Sequence, residues 1–360
     1  VVIKTLILWS KTSGYMTACW KQLSHQADVQ LRVIAWETSA AIDQASFDTT
    51  KMDSIAGRLL SVNERSETKI IEEEIENFRP DIIVIPGWVS SAYTKCVLRL
   101  SKTRPRVVMG MDTPWKGNVR QQFTRWRLNR LFQKVDHVVV AGERTWQYAR
   151  HLGFSEARIS RGVYGWDSAC FGEPTHLPRN QPSSRSFVFV GRFAEEKGIG
   201  TLLSAYKRYR ESVSSPWPLT MCGSGPLCGT VSGEGVINAG FIQPADLPSI
   251  FRQSSVFVLP SHYEPWGVAL AEAMGAGLPV IASEACGAAI DLVRPYWNGL
   301  LVPTASVESL TSGFVWFHNN EDRIVPMGAN AQQTAEPFSA KNWGIRWKAV
   351  LDGVVESRAA

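Results

Sequence analysis

The 360-residue chain has no C-x-x-C pair among its six cysteines (Cys19, Cys96, Cys170, Cys222, Cys228, Cys286) and no histidines at ligand spacing. These two absences argue against a zinc site and a disulfide framework, and they fit a reducing cytoplasm. A G-x-G-x-x-G after the first strand-like run is missing too, which speaks against a dinucleotide-dependent oxidoreductase. No apolar run reaches the roughly 18 residues of a membrane span. The opening VVIKTLILWS lacks a small-residue cleavage site, so it reads as a first buried strand rather than a leader. Net charge is only +5 and no nucleic-acid-binding module is recognisable, so a nucleic-acid partner is not expected.

What is present is globular: 44% apolar and 20% charged residues, in a length that exceeds one core and implies two domains. In the first half, strand-like runs at Ile3–Leu8, Leu31–Ala35, Asp81–Ile85, Arg106–Met109 and His137–Val140 alternate with amphipathic stretches such as Glu67–Phe78. That alternation predicts a parallel sheet with helices on both faces. Glycines and prolines between Gly162 and Ser186 suggest a linker, taken as 166–185. A second set follows at Phe187–Val190, Pro218–Cys222, Val236–Ala239, Val256–Leu259, Pro279–Ala282 and Leu300–Val302. The expected division is 1–165 for the first Rossmann-like domain and 186–335 for the second, with a last helix over 336–360.

Ligands of open α/β sheets sit beyond the carboxyl ends of the strands, so the residues that follow each strand matter most. After Phe187–Val190 comes GRFAEEKG, with Arg192 and Lys197 as two cations able to neutralise a diphosphate. Surface pairing with Glu195 and Glu196 is the plainer reading of both. After Pro218–Cys222, GSGPL offers Gly223 and Gly225, either a plain turn or a close backbone approach to a ligand. The run from Ser261 to Ser283 is the densest signal. Glu264 falls in a loop, and Gly267 and Val268 open an alanine-rich helix whose first amides favour a phosphate. Glu272 lies about a turn further in, where a carboxylate accepts from two ribose hydroxyls.

These residues resemble a GT-B-fold glycosyltransferase of glycosyltransferase family 4. Glu264 and Glu272 in EPWGVALAE are similar to that family's E-x7-E motif, and Arg192 with Lys197 to its R-x4-K grip. The resemblance covers Phe187 to Pro303 well and the first half loosely, through strand order and the Gly14-bearing loop SKTSGYM. It implies two Rossmann-like domains facing a central cleft, with a C-terminal helix crossing back to the first domain. It further implies a retaining enzyme that needs no metal and no prosthetic group and moves a hexose from a UDP- or GDP-linked sugar to a glycan or glycolipid hydroxyl, as in cell-surface polysaccharide or glycoconjugate biosynthesis. Arg192 and Lys197 would stabilise the departing diphosphate, Glu272 hold the ribose and Glu264 orient the donor sugar. Backbone around Gly240, Phe241 and Ile242 would receive the base, and Gly287, Ala288 and Ala289 would border the sugar. Where many members carry a histidine in the first domain, VVMGMDTPWKG has Met111 and Asp112; Asp112 is either its replacement or a turn former. A sugar-nucleotide epimerase or a phosphorylase of the same fold is the nearest alternative.

Charge is unevenly placed, with eleven Lys or Arg against Asp112 between Lys95 and Lys134. Trp115, Phe123, Trp126 and Phe132 accompany Lys116, Arg120, Arg125, Arg127, Arg130 and Lys134 along one expected helix. Segment 115–134 therefore suits an anionic membrane surface or a phosphate-bearing lipid acceptor, and the expected location is cytoplasmic with a candidate peripheral site on the inner face of the membrane. A solvated basic face with its aromatics in the core fits the same pattern.

Overall fold

The computed structural model describes residues 2–37, 52, 54–101, 105–172 and 185–357. They form two compact units, Val1–Gly165 with Ala340–Ala360, and Trp166–Ser339. Of the stretch expected as a linker, 173–184 lies outside the described residues. Trp166–Gly172 belongs to the second unit, where a methyl added to Gly275 would come within 2.7 Å of the Trp166 indole.

The first unit runs β1 (Ile3–Trp9), α1 (Gly14–Ser24), β2 (Val29–Trp36), β3 (Gly57–Leu60), α2 (Thr68–Phe78), β4 (Ile82–Ile85), α3 (Ser91–Arg99) and β5 (Arg106–Met111). It continues with α4 (Val119–Arg127), α5 (Asn129–Phe132), β6 (His137–Val140), α6 (Glu143–His151) and β7 (Ile159–Arg161). All seven strands are parallel, in the order β3-β2-β1-β4-β5-β6-β7. The five expected strands occupy the middle. β3 and β7, which were not expected, form the edges. The expected helix over 115–134 is broken: Leu128, at φ −106° and ψ 14°, separates α4 from α5, and Trp115 precedes both.

The second unit runs α7 (Ser168–Phe171), β8 (Phe187–Val190), α8 (Ile199–Ser212), β9 (Leu219–Cys222), β10 (Val236–Gly240), α9 (Leu247–Gln253), β11 (Val256–Leu259) and α10 (Val268–Gly275). Then come β12 (Val280–Ser283), α11 (Gly287–Leu292), β13 (Gly299–Val302), α12 (Val307–Asn319) and α13 (Ile324–Ala335). Its six parallel strands lie in the order β10-β9-β8-β11-β12-β13. The central strands are buried along their whole length, which is why they read as unbroken apolar runs.

The last helix, α14 (Ala340–Glu356), returns to the first unit. Gly344 permits this: a Cβ there would stand 3.1 Å from the Gln22 backbone of α1. Trp343 and Trp347 stack at 4.9 Å and donate their indole N–H groups to the carbonyls of Val163 and Gly162, at 3.0 and 3.1 Å. A buried indole needs such an acceptor, so these bonds fix how the helix seats.

Candidate functional site

Strand order reverses at β1/β4 in the first sheet and at β8/β11 in the second, and such switch points leave a crevice at the strands' carboxyl ends. The expected residues fall at the strand ends around these two places. In the second unit, a 3-10 turn at Glu195–Lys197 follows β8, and Gly198, at φ 70°, leads into α8. A Cβ on Gly198 would lie 2.2 Å from the Pro260 carbonyl oxygen, so only glycine lets this turn close on the loop after β11. The closure is then stitched. His262 and Tyr263 both donate their amides to the Glu196 carbonyl, at 2.8 and 3.0 Å, and Lys197 Nζ donates to Glu264 Oε2.

The Lys197 and Glu264 side chains are 20% and 13% exposed, so their pair is largely withdrawn from water and attracts more strongly than a surface pair. Arg192 is different. Its side chain is 53% exposed and stands 3.8 Å from Glu196, a contact of small energetic consequence. The plainer surface pairing thus describes Arg192, whereas Lys197 reaches across to Glu264.

The next loops join the same rim. Phe193 donates its amide to Ser224 at 2.8 Å, Leu227 to Phe193 at 2.9 Å and Gly223 to Gly240 at 2.7 Å. A Cβ on Gly223 would come 1.9 Å from the Gly191 oxygen, and one on Gly225 would come 2.5 Å from the Phe193 oxygen. These glycines therefore serve loop-to-loop contact, beyond turning the chain. Phe241 and Ile242 follow Gly240 directly and are half-buried.

On the other side, the Gly287 amide donates to the Glu264 carbonyl at 3.0 Å, and the Ala288 amide to the Trp266 carbonyl at 2.7 Å. Cys286 Sγ donates to that same Trp266 carbonyl at 3.0 Å. Burial, with Glu264 nearby, pushes this thiol up to about 12, so it stays a protonated donor and is no nucleophile. Gly267 sits at φ 102° against it, where a Cβ would lie 2.7 Å from the sulfur. α10 starts at Val268 without a side-chain cap, which leaves the positive end of its dipole at this rim. Glu272 lies in the same helix and is 9% exposed. Backbone bonds through 240, 223, 193, 196, 263, 264 and 287 thus tie five strand-end loops into one continuous rim.

Gly14 and Asp112 belong to the other unit. Gly14 is the first residue of α1 and not part of a loop, because Ser13 Oγ accepts from the Met16 amide at 3.4 Å and begins the helix there. Asp112 follows β5. Tyr164 Oη donates to its Oδ2 at 2.9 Å, and Thr145 Oγ1 donates to its carbonyl at 3.1 Å. Tyr15, next to Gly14, meets the Tyr164 ring edge-on at 5.8 Å. Tyr15 and Tyr164 were not singled out from the sequence. Both follow strands, β1 and β7, so the strand-end rule finds them once β7 is recognised. Among the described residues no cluster of three His, Cys, Asp or Glu has metal-site geometry.

Residues 178–334 match the family model of glycosyl transferases group 1. An uncharacterized glycosyltransferase of Methanocaldococcus jannaschii is 30% identical over 169 residues, 43% of each chain. The chain spans about half or less of the length of the first curated relatives it matches. Among solved structures, a glycosyltransferase from Rickettsia africae superposes with a TM-score of 0.77 at 14% identity, covering 98% of this chain and 99% of the other. HepE from Anabaena, in complex with UDP-glucose, gives 0.74 at 16% identity over 98% and 100%. The second unit thus resembles the glycosyl transferases group 1, and the two parallel-sheet units have the GT-B fold of these solved structures.

Proposed function

We propose that the chain transfers a hexose from a nucleoside diphosphate sugar to a hydroxyl of a glycan or glycolipid, with retention of anomeric configuration, in the making of a surface polysaccharide or glycoconjugate. The observation that carries this reading is the joining of the Arg192–Lys197 turn, the Glu264 loop and the start of α10 in one hydrogen-bonded rim. The hard part of the reaction is charge building on the departing diphosphate. Fixed cations and helix amides stabilise it without reorganising. Lys197 is held for this by Glu264, whose Oε2 accepts a hydrogen bond from one of the three ammonium N–H groups and leaves two for phosphate oxygens. Arg192, more exposed, adds a second cation from the rim's edge.

Glu272 accepts the ribose hydroxyls in this reading, and the turn through Gly240, Phe241 and Ile242 receives the base. UDP is the first nucleotide to try, because it is bound in the solved HepE complexes. In the first unit, Asp112 accepts a hydrogen bond from the acceptor hydroxyl, through the carboxylate oxygen that Tyr164 does not occupy. The test is a thermal-shift series with UDP, GDP, ADP and dTDP sugars, since a ligand that binds only the folded state raises the melting temperature by mass action. One nucleotide class is expected to stabilise the chain and to be consumed when acceptor is added. If none does, the reading fails.

A further inference from the structure

The basic-aromatic segment of the first unit turns its apolar residues the wrong way for a soluble helix. α4 opens on Asn118, whose Oδ1 accepts from the Gln121 amide at 2.9 Å. Its inner face is polar. Gln121 and Thr124 are buried, and Gln121 donates to the Pro114 carbonyl at 2.8 Å while accepting from the Lys116 amide at 2.7 Å. The apolar residues Val119, Phe123 and Trp126, at i, i+4 and i+7, point outward and are 67%, 64% and 82% exposed. A surface helix ordinarily buries that stripe and wets the other. Not every aromatic of the segment behaves this way: Trp115 stacks on His151 at 4.0 Å, and Phe132 is buried in the core.

The charges beside the stripe are of one sign. Lys116, Arg120, Arg125, Arg127 and Arg130 are all exposed, and no acidic residue occurs between Asp112 and Asp136. Two copies of this face would repel each other, which argues against a second chain as the occupant. Aromatic and aliphatic side chains interleaved with arginines match a head-group boundary, where rings enter the interface and cations meet lipid phosphates. We infer that α4 is a membrane-docking helix lying flat on an anionic lipid surface, with Val119, Phe123 and Trp126 inserted and the flanking arginines on the head groups. This surface is distinct from the residues proposed to bind the donor, and the inference does not depend on the transfer reaction.

The test is flotation of the full chain with vesicles of phosphatidylglycerol and phosphatidylcholine in equal parts, and with vesicles of phosphatidylcholine alone. The chain floats with the first and not with the second, and added salt weakens the association. Phe123→Ser with Trp126→Ser lowers partitioning by about tenfold or more, and Arg120→Glu with Arg127→Glu removes it. Because these side chains are exposed, circular dichroism and melting temperature stay unchanged in both variants, which separates lost docking from lost folding. Three outcomes overturn the inference: flotation that the serine variant does not diminish, no flotation with self-association that Trp126→Ser dissolves, or no flotation with single-stranded nucleic-acid binding that depends on the same two rings.

Discussion

The strand ends of the two units are built differently. In the second unit, five loops are tied by backbone hydrogen bonds, and the bonded positions need glycine where chains approach closest. In the first unit, backbone bonds such as Thr12 to the Trp36 carbonyl and Trp115 to the Arg144 carbonyl also join strand ends, but Asp112, Tyr164 and Tyr15 meet through side chains that are far apart in sequence. A diphosphate presents the same chemistry whatever sugar it carries, so a fixed backbone frame with cations suits it. An acceptor varies, and side chains on separate loops vary with it at little cost to the fold. On the proposed roles, the two ends are tuned separately, donor grip by geometry and acceptor choice by side-chain chemistry.

The comparison is broken most directly at Lys197. Lys197→Ala removes the cation held at the rim and leaves Glu264, 13% exposed, without its counterion. Transfer should fall by about 10²–10³-fold, in the range seen when a preorganised charge stabiliser is lost. Initial rates with the stabilising sugar nucleotide measure this. Lys197→Ala combined with Glu264→Gln should recover melting temperature but not rate, which separates the folding role of the pair from its chemical one.

Glu272→Ala comes next. If the carboxylate holds the ribose, the variant loses the melting-temperature increase given by the best nucleotide, with KM rising about tenfold to a hundredfold as charge-assisted hydrogen bonds disappear. An unchanged nucleotide shift would remove Glu272 from the donor site and leave it a buried helix residue.

The sequence made the second unit legible and the first only partly so, for reasons of burial. The inner strands of the second unit announce themselves because runs such as VFVL at Val256–Leu259 are buried on both faces, whereas the edge strand β10 is exposed or half-buried and is read from its place in the alternation. β3 and β7 are edge strands. GRLL and ISR carry exposed or half-buried residues and no apolar run, so no periodicity reveals them. Missing β7 hid Tyr164, which gains meaning only as a strand-end residue. Glu264 and Lys197 were each visible as motif members, yet their pairing was not, because 67 residues separate them and only the switch point brings β8 beside β11. Along 115–134 the composition was plain, but which aromatics face inward depended on the break at Leu128 and on the buried Gln121, neither of which the pattern of residue types discloses.

Gly267 tests whether the rim is as tightly specified as its contacts imply. Gly267→Ala forces a side chain onto φ 102° and drives a methyl to 2.7 Å from Cys286 Sγ. The expected cost is about 1–3 kcal/mol, the range for a non-glycine residue held in a sparsely populated conformation. Urea denaturation reads it. Adding Cys286→Ala relieves the contact but not the backbone strain, so recovery should be partial. Full recovery would mean that packing alone demanded the glycine.

The smallest effect is expected from Tyr164→Phe, and it bears most closely on the separateness of the two ends. The substitution keeps the ring against Tyr15 and removes only the hydroxyl that donates to Asp112 Oδ2 at 2.9 Å. A hydrogen bond to a charged group contributes about 1.5–3 kcal/mol at most, and Asp112 is partly open to water, which replaces some of it. A loss of about threefold to tenfold in kcat/KM for the acceptor follows. Donor KM and the nucleotide-induced melting shift should not move, because nothing in this cluster belongs to the rim of the second unit. Asp112→Asn should lose more than Tyr164→Phe, since it removes the charge proposed to face the acceptor as well as its positioning. If Tyr164→Phe raised donor KM instead, acceptor and donor recognition would share residues, and the division of labour between the two sheets would have to be abandoned.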